Sequence, residues 1–295
     1  MNRTNVSTFQ TLELHDGRTL AWAEYGVPDG RALLYFHGLP GSHRECELLA
    51  PAARTLDLRV IAVDRPGYSR SSWQPRRRLL DWPRDVSELC DALGLDQVMV
   101  LGVSGGAPCA LACAHAIPER IAATATVCGL GPVALEALLR DMRWRERLAF
   151  RMARRSPALL GILVGQPLSR LARSAPALAI RALALANGDA DRRVLAQEGV
   201  RRILAATLRE ALRQGPRGAL HEVSLYARPW GFDPATIRLP VQMWHGDADR
   251  VVPLSHSRYL AGRLPHASLH VQPGEGHFSL PIRHAATILA ALAAS

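Results

Sequence analysis

VMVLGVSGGAPCALAC, residues 98–113, is an apolar run that meets a serine among glycines and continues with the small residues of a helix. The apolar residues before the serine show no polar alternation, which predicts a strand over 97–103 that is buried on both faces of a parallel sheet. Ser104 is then the first residue beyond the carboxyl end of that strand. The stretch therefore predicts a strand, a sharp turn and a helix in an α/β protein.

Ser104 stands in a G-x-S-x-G pattern with Gly102 and Gly106. In so tight a turn, side chains beside the serine would collide with the strand and the helix, which explains why glycine occupies these positions. The turn exposes the serine hydroxyl and points the amide of Gly105 toward the place where an oxyanion would form. Glycine and serine are also common in turns before helices for conformational reasons alone. Evidence from the rest of the chain is therefore needed to identify Ser104 as a nucleophile.

The 295 residues can form one large α/β domain or two smaller ones. The N-terminus is polar, and no apolar run approaches the roughly 20 residues that span a bilayer, so we expect a cytoplasmic protein without a signal peptide or membrane insertion. The five cysteines are odd in number and lack C-x-x-C spacing, which predicts reduced packing residues. We therefore expect neither disulfides nor a metal site.

The net charge of +10 is concentrated in residues 131–225, which hold 17 arginines and 8 acidic residues. Without a DNA- or RNA-binding motif, this charge does not predict a nucleic-acid partner. The densest piece, 140–155, predicts an amphipathic helix with a basic face. Its apolar residues at helical spacing are Met142, Leu148, Ala149 and Met152. The arginines either form a solvated surface or, near a pocket mouth, attract anionic substrates or an acidic membrane surface.

Strand and helix patterns alternate along most of the chain. Asp-Gly between apolar runs at 9–14 and 19–24 predicts an antiparallel hairpin at the start. Further strands are predicted at 31–36, 58–63, 120–127, 241–244 and 268–271, and helices at 44–56, 82–93, 255–264 and 281–294. Between the strands predicted at 120–127 and 241–244 the alternation stops, and helix formers interrupted by prolines fill about 95 positions.

This helical stretch predicts a cap inserted over the carboxyl edge of the sheet, where sites borne by loops lie. We predict a core domain of residues 1–130 and 227–295 and a helical cap of residues 131–226. Some apolar side chains of the cap should line a pocket for a small, mainly apolar molecule.

Two loops that follow predicted strands carry either a candidate site residue or residues that hold the loop in place. HGLPGS, residues 37–42, contains two glycines and makes the backbone amide of Leu39 the candidate for a second oxyanion donor, while His37 should brace the loop. In DRPGYS, residues 64–69, we expect Asp64 to pair with local amides or a neighbour such as Arg65 rather than to act in catalysis.

Two later strand ends carry acidic residues and a histidine, in HGDADRVVP at 245–253 and GEGH at 274–277. A nucleophilic serine requires a base within hydrogen-bond reach and a carboxylate that orients the base. His277 is the candidate base. Asp249 is preferred over Asp247 as the acid because it precedes apolar residues that anchor the loop, whereas Asp247 more readily satisfies loop amides.

Together these motifs resemble the α/β-hydrolase fold superfamily, in the branch of capped serine hydrolases with esterase, lipase-like and aminopeptidase members. The resemblance runs nearly end to end along the chain. It implies an α/β-hydrolase fold with a mostly parallel central sheet flanked by helices and an inserted all-helical cap. It also implies that Ser104, Asp249 and His277 form a catalytic triad and that Leu39 and Gly105 donate the oxyanion hole.

The resemblance further implies hydrolysis of a small carboxylic ester, or a related acyl bond, through an acyl-enzyme on Ser104 without a cofactor. A serine at position 104, in the sharp turn after the strand, argues against the haloalkane dehalogenases and epoxide hydrolases, which have an aspartate at the corresponding position. Leu39 departs from the HGGPG of proline iminopeptidases, which argues against peptide substrates. Two alternatives stay open: a ligand-binding sensor or regulator with little turnover, and a carbon-carbon hydrolase, lyase or perhydrolase on the same triad. Substrate identity and oligomeric state are also open.

Overall fold

Eight strands of the computed structural model, which describes residues 8–295, form one sheet in the order β1-β2-β4-β3-β5-β6-β7-β8. The pairs β1·β2 and β2·β4 are antiparallel, and all other neighbours in the sheet are parallel. The strands are β1 (Thr8–Glu13), β2 (Thr19–Gly26), β3 (Arg31–Phe36), β4 (Leu58–Asp64), β5 (Val98–Val103), β6 (Ile121–Val127), β7 (Val241–Gly246) and β8 (Ala267–Gln272). The predicted α/β architecture with a mostly parallel sheet is confirmed.

The N-terminal segment 1–7, for which the sequence predicts no signal peptide, lies outside the described residues. Within 8–295, no helix is long and apolar enough to cross a membrane. All five cysteines are buried and free, and they belong to the apolar clusters of the core, which agrees with the predicted packing role.

Helices cover both faces of the sheet and fill the segment between β6 and β7. The helices of the sheet region are α1 (Ala50–Thr55), α2 (Trp82–Ala92), α3 (Ala107–Ala116), α12 (Leu254–Ala261), α13 (Ser279–Arg283) and α14 (Ala285–Ala293). The others are α4 (Glu136–Asp141), α5 (Trp144–Arg155), α6 (Pro157–Leu160), α7 (Gln166–Ser174), α8 (Pro176–Ala186), α9 (Asp189–Ala196), α10 (Glu198–Ala211) and α11 (Arg217–Tyr226). We call α4–α11 the helical insertion. The predicted domain boundaries at 130 and 226 stay a prediction.

β5 lies in the middle of the sheet, and all six of its residues are buried. Alternate side chains of the central strands enter two different apolar clusters, as a strand period of two requires. Val100 belongs to the cluster that contains residues of α2 and α3, whereas Leu101 belongs to the cluster that contains residues of α1 and α14. This two-sided burial explains the uninterrupted apolar run before Ser104.

Two predicted helices are interrupted. The pattern over 44–56 forms a 3-10 helix, His43–Leu48, and then α1, because Pro51 has no amide hydrogen to continue the first helix and is favoured at the start of the second. The pattern over 140–155 breaks between α4 and α5. Within α5, Leu148, predicted on the apolar face, is exposed, whereas Phe150 and Ala153 are buried.

Glu222 of α11 fastens the helical insertion to the loop after β4. Its two carboxylate oxygens accept hydrogen bonds from Arg65 Nε at 2.6 Å and Arg65 Nη2 at 2.8 Å. Arg77 Nη2 and the Tyr68 hydroxyl also donate to it, at 2.9 and 2.8 Å. Burial alone would raise the pKa of Glu222, but the two guanidinium groups outweigh burial and hold that pKa at about 2. Glu222 therefore stays ionised at neutral pH.

Replacing Glu222 with Gln should destabilise the fold strongly, because two buried guanidinium groups would lose their carboxylate. Breaking a buried ion pair in this way costs about 3–5 kcal/mol of unfolding free energy, measurable by urea denaturation. The control is Asp91→Asn, which removes an ion pair with Arg120 whose acidic side chain is 65% exposed and should cost much less. Equal losses in the two variants would show that Glu222 does not fasten the helical insertion.

Candidate active site

The turn after β5 holds Ser104 with a backbone φ of +54°, a conformation that is unfavourable for residues other than glycine. The glycines beside it permit this turn. A Cβ atom on Gly106 would lie 2.0 Å from the carbonyl oxygen of Phe36, and one on Gly102 would lie 2.5 Å from the carbonyl oxygen of Gly106. The spacing G-x-S-x-G therefore has the steric cause that the sequence predicts.

Ser104, His277 and Asp249 follow the ends of three different strands, β5, β8 and β7, and meet at one edge of the sheet. Ser104 Oγ lies 3.0 Å from His277 Nε2. His277 Nδ1 lies 2.8 Å from Asp249 Oδ2. With a neutral imidazole, the serine hydroxyl donates to Nε2 and the Nδ1 hydrogen is donated to the carboxylate. This arrangement can deprotonate the serine as it attacks an electrophile.

Asp249, and not Asp247, lies against His277 in the described structure. Its second oxygen accepts hydrogen bonds from the amides of Val251 and Val252, at 2.8 and 2.9 Å. Burial alone would raise the pKa of Asp249, but His277 and the nearby His245 outweigh it and hold the pKa well below the usual range. Asp247 is exposed and accepts a hydrogen bond from the amide of Gly274 at 2.7 Å.

Asp191 of α9 is a site residue that the sequence analysis missed. It is fully buried, and its carboxylate accepts hydrogen bonds from three successive amides: His277 at 3.1 Å, and Phe278 and Ser279 at 2.9 Å each. The helical insertion thus holds the loop that carries the imidazole. No local sequence pattern indicates this contact, because Asp191 lies 86 positions from His277.

The carboxylates around His277 raise the pKa of its imidazole. Burial acts in the opposite direction, but Asp249 outweighs burial, with smaller contributions from Asp191 and Glu45. The imidazolium form that a proton transfer from Ser104 would create is therefore stabilised.

Leu39 and Gly105, the two candidate oxyanion donors, lie side by side next to Ser104. A Cβ atom on Gly105 would stand 2.7 Å from the Cβ of Leu39 and 3.4 Å from its amide nitrogen. The loop that carries Leu39 is braced from both sides: Glu45 accepts a hydrogen bond from the amide of Gly38 at 3.0 Å, and Arg65 Nη2 donates to the carbonyl of Gly38 at 3.0 Å.

His37 and Asp64 lie behind the site rather than in it. His37 is completely buried; burial, reinforced by Arg65, holds its pKa well below the ordinary value, so the imidazole is neutral and braces the loop through the carbonyl of Gly38 at 2.8 Å. Asp64 pairs with His43 Nδ1 at 2.6 Å and with the His43 amide at 2.8 Å. A neighbour pairs with Asp64 as expected, but this partner is His43 instead of Arg65.

Ser104 opens into a cavity of about 270 Å³ between the sheet edge and the helical insertion. The helical insertion contributes Leu168, Ala179, Ile180, Leu183, Leu204 and Leu208 to its wall. Among the described residues that line the cavity, no arginine occurs, and Glu45 is the acidic side chain. Burial raises the pKa of Glu45, although its bonds from the Gly38 amide and the Tyr35 hydroxyl oppose the shift.

Cys128, Asp249 and His277 offer three ligand atoms within 4.8 Å of one another, the minimum for a metal site. Metal ions bind the thiolate form of cysteine. Burial raises the pKa of the Cys128 thiol well above its ordinary value, and Asp249 adds to the shift. His277 Nδ1 and Asp249 Oδ2 are already hydrogen-bonded to each other at 2.8 Å, so a metal ion bound through these atoms would displace the bond that orients the imidazole.

Residues 31–282 match the family model for the alpha/beta hydrolase fold, and the chain belongs to that family. A poly(3-hydroxyalkanoate) depolymerase of Ectopseudomonas oleovorans is 28% identical over 288 residues, which are 93% of this chain and 88% of that protein. A non-heme chloroperoxidase of Streptomyces lividans is 30% identical over 129 residues, 43% of this chain, and the match spans about half of that protein (47%). A solved carboxylesterase structure from Nitrososphaera gargenis has a TM-score of 0.71 at 17% identity, covering 97% of this chain and 98% of that chain.

Replacing Asp191 with Asn should lower the pKa of the His277 imidazole, because a carboxylate that stabilises the imidazolium is removed. The asparagine oxygen can still accept the bonds from Phe278 and Ser279, which keeps the loop in place. NMR titration of the His277 ring measures the shift directly. Asp189→Asn is the matched control, since it removes the same charge from the same helix at a side chain that is 78% exposed. An unchanged His277 pKa, or equal shifts in both variants, would contradict this role.

Proposed function

We propose that the protein is a serine hydrolase that cleaves a small, neutral carboxylic ester through an acyl-enzyme on Ser104. The observation that carries the proposal is the continuous chain of hydrogen bonds from Ser104 Oγ through His277 to Asp249, at 3.0 and 2.8 Å, which opens into an apolar cavity. A buried carboxylate that stays ionised is what such a chain requires in order to stabilise the imidazolium.

In the proposed reaction, His277 Nε2 takes the proton of Ser104 as its oxygen attacks the ester carbonyl carbon. The amides of Leu39 and Gly105 donate hydrogen bonds to the tetrahedral oxyanion. As the bond to the alcohol breaks, the imidazolium gives its proton to the leaving oxygen. Water then attacks the acyl-enzyme with His277 again acting as base, which releases the acid and restores Ser104. Asp249 stays ionised throughout and orients the ring.

The cavity supports a compact apolar substrate. Its volume is about 270 Å³, and most side chains of its wall are aliphatic. An ester is favoured over other acyl bonds because a relative matched over 93% of this chain is, by its name, a poly(3-hydroxyalkanoate) depolymerase, and ester bonds join the units of such a polymer. Ser104 supports a route through an acyl-enzyme, which esters share with other acyl bonds.

The arginines of the basic stretch 140–155 do not support an anionic substrate at this cavity. Arg143, Arg147 and Arg151 are absent from the described cavity wall. Arg151 is paired with Glu136 at 2.5 Å, and Arg147 Nη1 donates to the carbonyl of Arg140. Because the described wall offers no arginine or lysine to pair with a carboxylate, we propose a neutral ester.

Ser104→Ala should lower the hydrolysis of short p-nitrophenyl esters by on the order of 10⁴ to 10⁶ in kcat, since the nucleophile is lost. Steady-state rates of the purified parent and variant measure the effect. Near-normal turnover in the variant would remove Ser104 from the mechanism. Rapid labelling of the parent by a fluorophosphonate probe, without turnover of any ester in a broad panel, would favour a ligand sensor over an enzyme.

Asp249→Asn should lower kcat by about 10⁴, because an amide at this position favours the wrong imidazole tautomer. Asp247→Asn is the matched control, with the same chemical change two residues away, and should stay close to the parent. The same ester assay compares the two variants. If the Asp247 variant lost activity while the Asp249 variant kept it, the orienting role would belong to Asp247.

A further inference from the structure

A second cavity of about 710 Å³ lies between the loop after β4 and the helical insertion. It shares no lining residue with the cavity at Ser104. Four arginines line it, Arg77, Arg173, Arg217 and Arg228, together with Trp73. No aspartate or glutamate occurs among the described residues of its wall. The cavity is therefore concave and basic.

Arg77 is the buried member of this set. Its side chain is 2% exposed, and its Nη2 donates to Glu222 at 2.9 Å. Its Nε and Nη1 atoms are buried and have no hydrogen-bond acceptor among the described residues. Buried donors of a charged group without an acceptor are costly, so a native protein rarely leaves them unsatisfied unless something else binds there.

The buried charges beneath the cavity do not balance. Two guanidinium groups, Arg65 and Arg77, share the single carboxylate of Glu222. Asp85, which also interacts electrostatically with Arg77, is already paired with Arg18 at 2.8 and 2.5 Å. Arg77 thus has no carboxylate of its own among the described residues, and an anion bound in the cavity that it lines would supply one.

The rim of the cavity adds further attraction for an anion. Arg173, Arg217 and Arg228 are exposed, and in the described part of the chain none of them has a carboxylate within ion-pair distance. The guanidinium of Arg217 lies over the ring of Trp73, 4.5 Å from its centroid. Arg217 also begins α11, so the positive end of a ten-residue helix faces the cavity.

We propose that this second cavity binds a small molecule carrying a phosphate group, with the phosphoryl oxygens at Arg77 and the rim arginines. A phosphate dianion matches several converging guanidinium groups better than a single carboxylate does, because its oxygens can accept from all of them at once. Trp73 and Leu220 offer an apolar surface for an aromatic or aliphatic part of the ligand. The site is separate from the ester site and does not depend on it.

Isothermal titration with phenyl phosphate, at constant ionic strength set by sodium chloride, tests the site. The variant Arg173→Gln/Arg217→Gln/Arg228→Gln should bind about 100-fold more weakly, because each lost charge-assisted contact weakens binding by about tenfold or less when several remain. The control Arg181→Gln/Arg201→Gln/Arg202→Gln removes the same charge from exposed positions outside the cavity and should bind like the parent.

The variant Arg77→Met tests the buried arginine in the wall of the second cavity. It removes the guanidinium that has no carboxylate of its own and leaves Arg65 paired with Glu222, so in phosphate-free buffer its Tm should not fall below that of the parent. Phenyl phosphate should raise the Tm of the parent and of Ser104→Ala, but not that of Arg77→Met. The proposal is wrong if the parent does not bind phenyl phosphate, or if both triple variants lose binding equally. It is also wrong if Ser104→Ala abolishes binding, which would place the probe in the ester cavity.

Discussion

The buried guanidinium of Arg65 joins the parts of the molecule on which the site depends. It binds both carboxylate oxygens of Glu222 in the helical insertion and donates to the carbonyl oxygens of His37 and Gly38, at 2.5 and 3.0 Å. Its planar fork can satisfy these acceptors together, whereas a lysine ammonium could not. The loop that carries Leu39 is therefore positioned by the helical insertion as much as by the strand before it. A change that displaced α11 would move a candidate oxyanion donor without touching Ser104.

Asp191 provides a second link of the same kind, to the loop that carries His277. There a carboxylate of the helical insertion holds three amides of the histidine loop, while at Arg65 a carboxylate of the helical insertion holds a guanidinium of the sheet region. Both acids are fully buried. Since breaking either contact would leave polar groups unsatisfied away from water, these contacts hold α9 and α11 against the sheet region. The apolar lining and the position of the imidazole are thus set by the same contacts.

The sequence alone predicted those features that depend on local pattern. Uninterrupted apolar runs located the buried strands, and glycine spacing located the turn at Ser104, because both follow from sterics within a few residues. The roles of Asp191 and Glu222 were not predicted, because their partners lie 86 and 157 positions away. In the sequence, an acidic residue that makes a buried contact looks the same as one that is exposed to solvent on an amphipathic helix. The interrupted helix at 140–155 escaped for a related reason: hydrophobic period indicates that a helix exists, but tertiary packing decides where it breaks.

Packing also decides what the net charge means. The sequence shows an excess of arginine in the helical insertion, and two interpretations, a solvated surface or attraction of anions at the pocket, fit that excess equally. In the folded chain the arginines have different surroundings. Arg151 is paired with Glu136, and the described wall of the cavity at Ser104 holds no arginine. Arg77 is a buried donor that lines the other cavity. Exposed charges act over only about 8 Å at physiological salt, so their effect is confined to whatever enters the space that they line. The two ligands that we propose therefore differ in character, an uncharged apolar molecule at Ser104 and an anion at Arg77, although both cavities are built largely from the same helical insertion.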